Sequence, residues 1–105
     1  MSGLNTERAV FDIVHAINVL AMANTDVILI FARFSGHVNS FEVDADPKGT
    51  VYEKGVRPDR LMREYVYFDH PNALEKLLSI ESQLTELIIT AREEAESEAK
   101  AEVEA

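Results

Sequence analysis

Side chains capable of chemistry are densest between Asp44 and Arg63, and the first candidate among them is Asp44-Ala45-Asp46-Pro47-Lys48-Gly49. Carboxylates at positions 1 and 3 with glycine at position 6 open a calcium loop, in which alternate residues supply oxygen ligands. The pattern fails where the ion must be held. Lys48 occupies a position that should supply oxygen, and Gly55 stands where the bidentate glutamate is needed. The segment reads instead as a hairpin turn, with proline suited to its second position and glycine to its fourth.

The histidines, His15, His37 and His70, have no paired metal spacing, and Asp12 with His15 supplies two ligands where zinc wants three or four. Glycines 3, 36, 49 and 55 are isolated, so there is no phosphate-cradling loop, and no serine lies in a nucleophile elbow. Cysteine is absent, which removes thiol nucleophiles, thiolate ligands and disulfides together. The residues therefore point to no metal, no cofactor and no catalytic group, and a non-enzymatic role is expected.

The same region carries basic and aromatic side chains in alternation: Arg33, His37, Tyr52, Lys54, Arg57, Arg60, Arg63, Tyr65 and Tyr67. On strands, such a set can follow a single-stranded nucleic acid backbone while bases stack on the rings. Arg63, Tyr65 and Tyr67 fall on one face of a strand. The plainer reading makes the tyrosines half-buried strand residues and the arginines counterweights to an acidic surface.

That surface is strongly acidic, with a net charge of -9 over 105 residues, which argues against general duplex binding. The charge is uneven. Between Ala91 and Ala105 six glutamates face only Arg92 and Lys100, whereas from Lys48 to Arg63 five cations face only Glu53 and Asp59. An exposed glutamate array of this kind can imitate nucleic acid and occupy the protein that binds it, which is a third reading beside the other two.

The elements that must position these residues follow from apolar spacing. Asn5 or Thr6 can cap a first helix whose apolar face runs through Val10, Ile13, Val14, Ile17, Leu20 and Ala21. Val27 to Phe34 is apolar on both alternations and predicts a strand covered on both faces. After the Ser35-Gly36 turn, Val38 to Ala45 alternates, with Asn39, Phe41, Val43 and Ala45 on one side and Val38, Ser40, Glu42 and Asp44 on the other. A short strand at Thr50 to Lys54, a loop through Arg57-Pro58-Asp59 and a β-rich run from Leu61 to Phe68 follow. Asp69-His70-Pro71-Asn72 opens a long final helix. The expected fold is α+β, a single domain in the order α-β-β-β-β-α, with a three- or four-stranded antiparallel sheet flanked by the two helices. Residues 1–91 form the domain and residues 92–105 an acidic helical extension or frayed tail.

At about 100° per residue the last helix places Leu77, Ile80, Leu84, Leu87, Ile88, Ala91 and Ala95 in one stripe with Leu74, Leu78 and Ile89 beside it, roughly 200° in all where one core usually needs little more than about 100°. Two surfaces must therefore be covered. The sheet is one, and the same helix of a second copy is the expected other, which makes Leu74, Leu77, Ile80, Leu84, Leu87, Ile88 and Ala91 the expected dimer interface. The longest apolar run, Val27 to Ala32, is far short of the roughly 20 residues that span a bilayer, and the N-terminus has no signal-peptide pattern, so no membrane partner and a cytoplasmic home are expected.

The leading expectation is a small interaction or regulatory protein acting by protein-protein binding as a homodimer. A single-stranded nucleic-acid module and an acidic nucleic-acid mimic are the alternatives.

Overall fold

A computed structural model of the chain describes residues 2–55 and 59–104, with side chains over 9–55 and 59–102. It has helix α1 (Ser2–Ala23), strands β1 (Ile28–Ser35), β2 (Ser40–Pro47) and β3 (Met62–Tyr67), and helix α2 (Ala73–Glu104). The strands form an antiparallel sheet in the order β1-β2-β3. The α+β class and the flanking helices are as the apolar spacing predicts.

Two of the expected element assignments differ. Thr50 to Lys54 is not a strand. The Thr50 amide and hydroxyl both donate to the Pro47 carbonyl, at 3.0 and 2.7 Å, and this turn carries the chain away from the β2 edge. Helix α1 starts at Ser2, ahead of the capping residues Asn5 and Thr6, since residues 2–8 contain no proline to stop it.

The register divides the sheet into two unlike faces. Ala32 opposes Val43 and Phe34 opposes Phe41 on one side of β2, and Phe41 opposes Val66 on the other, so these side chains share the face covered by the helices. Phe41, Val43, Ala45, Met62 and Val66 are buried there against Val10 and Ile17 of α1 and Leu77, Ile80, Leu84 and Ile88 of α2. Asn39 closes the β1-β2 turn in the left-handed region with φ 54°, a conformation that asparagine tolerates better than most residues.

Both helices lie on this one face, so β1 is not covered on two sides. Leu29 is half-buried and Phe31 is 44% exposed on the other face of the sheet. The wide stripe of α2 finds its second cover inside the chain. Helix α1 packs beside it, and Ile13, Val14 and Leu20 meet the same core that holds Leu74, Leu87 and Ala91 half-buried. Of the residues expected at a dimer interface, Leu77, Ile80 and Leu84 have no exposed surface within this one chain and Ile88 very little, which makes these four core residues, whereas Leu74, Leu87 and Ala91 are half-buried.

One ion pair fixes the far end of this layer. Arg92 donates to both carboxylate oxygens of Asp26 at 3.0 Å and to the Asn24 side-chain oxygen at 2.8 Å, tying α2 to the α1-β1 turn. A forked contact of this kind adds geometry as well as energy. Beyond Arg92 the helix continues exposed as far as it is described, an extension of glutamates and alanines. Among the described residues no helix is long and apolar enough to cross a membrane.

Leu84→Ala should cost about 2–5 kcal/mol, because it opens a cavity where α1, α2 and the sheet meet, whereas Leu78→Ala, at a half-exposed position, should cost no more than about 1 kcal/mol. Urea unfolding followed by circular dichroism checks the pair, and equal losses would contradict this placement of α2.

Candidate functional site

The face that the helices leave open is built on the alternate residues of β2. Glu42, Asp44 and Asp46 project from it, opposed across β1 by Arg33, Phe31 and Leu29 and across β3 by Tyr65 and Arg63. Strand alternation dictates this arrangement, since the residues that alternate with Phe41, Val43 and Ala45 along β2 must point the other way. The long connection from β2 to β3 then folds two more side chains, Tyr52 and Arg60, onto the same face.

Asp46 is fully buried although it lies on the open face. Its Oδ1 accepts from Arg60 Nε at 2.9 Å and its Oδ2 from the Tyr52 hydroxyl at 2.7 Å. A buried charge must be paired in this way, because losing hydration without compensation costs far more than a chain of this size can supply. Arg60 also reaches Asp44 Oδ2 at 3.3 Å. The Tyr52 ring meets Phe31 edge to face with centroids 6.0 Å apart, so the carboxylates sit beneath an aromatic pair.

Asp44 is less completely satisfied. Its Oδ1 is buried without a hydrogen bond, and the nearest cation, Arg63 Nε, stands 3.8 Å away. Burial pushes the Asp44 carboxyl above its ordinary range, with the Arg60 guanidinium opposing the shift. Burial also raises the Tyr52 phenol, aided by its bond to the Asp46 carboxylate. In the α1-β1 turn, where Lys48 Nζ donates to the Asp26 backbone carbonyl at 2.9 Å, the hydrogen bond from Arg92 holds the Asp26 carboxyl below its ordinary value.

At the rim, Arg33 bonds Glu42 Oε1 at 3.1 Å, and Arg63 lies 3.9 Å from the same oxygen. Tyr65 and Tyr67 follow on β3, about half-exposed and edge to face with each other at 6.1 Å. Among the basic and aromatic residues singled out from the sequence, the structure therefore brings together Arg33, Tyr52, Arg60, Arg63, Tyr65 and Tyr67 on one surface. His37 lies apart in the exposed β1-β2 turn, Lys54 is exposed in the β2-β3 connection, and Arg57 lies outside the described residues. His70 packs against Tyr67 with ring centroids 5.4 Å apart. The carboxylates that engage the arginines were not singled out as a group, although the spacing Glu42, Asp44, Asp46 on a strand was a sufficient signal. The turn at Asp46 also begins one residue later than expected, because β2 runs on to Pro47.

Set against family models, curated proteins and solved structures, the chain matches none.

Asp44 gives the site a signed pH dependence. Its carboxyl holds a proton to higher pH in the folded chain than in the unfolded one, so its contribution to stability declines as pH rises above the ordinary value of 3.8. The stability of the natural chain relative to Asp44→Asn should therefore be greater at about pH 4 than at about pH 7. Urea unfolding at the two pH values checks this, and a difference that grows with pH would contradict it.

Proposed function

We propose that this is a non-enzymatic interaction protein that acts by protein-protein binding through the open sheet face, and that its partner is a second copy of the chain. The observation that carries the reading is the makeup of that face: exposed Phe31, Tyr65 and Tyr67 stand among arginines already engaged by the chain's own carboxylates. Aromatic side chains ringed by polar groups are the usual anchors of an interface. An α2-mediated dimer loses its support because the α2 stripe is buried within one chain, whereas the sheet face remains free.

Charge favours a second copy over nucleic acid. Arg33, Arg60 and Arg63 are matched by Glu42, Asp44 and Asp46, so the face is close to neutral within a chain of net charge -9. Tracking a phosphate backbone needs a row of unmatched cations, and here each arginine has a carboxylate within 4 Å. Self-association is opposed by like charge elsewhere on the molecule but not on this surface. A two-fold axis would set the arginine-bearing rim of one copy against the carboxylates of the other, the self-complementary arrangement that isologous dimers require. Two sheets meeting face to face also bury the second side of β1, which its apolar sequence calls for.

Sedimentation equilibrium tests the proposal. A dimer is expected at micromolar concentrations, reduced to monomer by Phe31→Glu or Tyr65→Glu and kept by Leu78→Glu on the outer side of α2. A strict monomer at high micromolar concentration would overturn it, as would association that survives both sheet-face changes.

A further inference from the structure

The open face contains a cleft of about 310 Å³ lined by Phe31, Arg33, Glu42, Asp44, Tyr52, Arg60 and Arg63. That size lies at the lower end of the range of about 300–1,000 Å³ usual for small-molecule sites. Its chemistry is layered. The floor has one acceptor without a donor, Asp44 Oδ1, on a residue 96% buried by its 4% relative exposure. One wall is the Phe31 and Tyr52 pair, and the mouth has two guanidinium groups whose side chains are 67% and 63% exposed, Arg33 and Arg63.

Each layer restricts the ligand. The floor asks for a hydrogen-bond donor, since a buried oxygen left unmatched costs more than a made bond returns. A simple cation would meet the two exposed guanidinium groups before it reached that oxygen, so the donor must belong to a molecule that is neutral inside and anionic outside. The rings favour a flat group between donor and anion, because stacking on an aromatic face is strong for planar bases. Each guanidinium has five N–H donors, and the contacts to Glu42 occupy only part of them.

We infer that the cleft binds a mononucleotide whose base carries a ring N–H, guanine or uracil, with that N–H donated to Asp44 Oδ1, the base against Phe31 and Tyr52, and the phosphate at Arg33 and Arg63. Adenine and cytosine fit less well because their only donor on that edge is the exocyclic amino group, and the ring-nitrogen lone pair beside it faces the same carboxylate. Arg63 covers Oδ1 and must swing aside, a movement open to a long exposed side chain. One mononucleotide needs a single local anion site, not the row of free cations that a polymer requires, so this inference is compatible with weak binding of nucleic acid chains. It goes beyond self-association and does not depend on it. Because both use the same face, a bound nucleotide and a second copy exclude each other.

Asp44→Asn supplies a test that a merely structural role would not pass. Arg60 still donates to the Oδ2 position, so the asparagine oxygen must remain there and its NH2 takes the place of Oδ1. The floor then changes from acceptor to donor. Isothermal titration of the full chain with GMP, UMP, AMP and CMP should show saturable binding of GMP and UMP, about tenfold or more tighter than AMP and CMP, as expected for one hydrogen bond to a charged group. In Asp44→Asn the preference should turn toward AMP and CMP. Arg33→Gln should weaken all four alike, and it reports on the phosphate site even if the Asp44 variant fails to fold. Absence of saturable binding at millimolar nucleotide, equal affinity for the four, an unchanged order in a folded Asp44→Asn, or no effect of Arg33→Gln would overturn the inference.

Discussion

Two buried carboxylates on the middle strand constrain the whole molecule. Asp44 and Asp46 alternate with Phe41, Val43 and Ala45, so one register sends the apolar set into the helix-covered core and the acidic set to the open face. A slip of one residue would drive both carboxylates into the core, where they would have no partners. Holding Asp46 then requires Arg60 and Tyr52, and these two contacts bring the β2-β3 connection back over the sheet. The order of the strands, the course of the longest connection and the character of the open face all follow from that pairing.

The helical layer meets a complementary constraint. Three strands and two helices supply one core, and both helices are used on the same side of the sheet. Helix α1 and the sheet together absorb the broad apolar stripe of α2, while Arg92 marks the point at which α2 ceases to be a packing element. The molecule is thus divided by function of surface: a closed apolar layer, an open face with matched charges and exposed rings, and an acidic helical extension. The last carries much of the net charge and stands apart from the sheet residues on which the binding proposal rests.

Much of this was legible in the chain. The alternation of Ser40, Glu42 and Asp44 against Phe41, Val43 and Ala45 fixed the two faces of β2, and the Ser35-Gly36 signal placed the hairpin. Arg63, Tyr65 and Tyr67 were assigned to one face by the same period of two. The wheel of α2 showed that two covers were needed but could not name them, because periodicity measures the width of a stripe and not what packs on it. Leu77, Ile80 and Leu84 were consequently assigned to a partner when α1 covers them. The double apolar alternation of β1 implied cover on both sides, yet a chain with only two helices on one face leaves Phe31 exposed. Asp46 reads as the start of a turn because its pairing with Arg60 spans a connection that local spacing does not describe.

The open sheet face is the surface proposed to meet a partner. The most direct test is a series of amide and side-chain NMR spectra recorded as the concentration of the natural chain is raised. Shifts concentrated at Leu29, Phe31, Arg33, Arg63, Tyr65 and Tyr67, with the outward residues of α1 unmoved, are the predicted result. Shifts centred on Phe11, Val19 and Met22 of α1, or none at any residue, would contradict it.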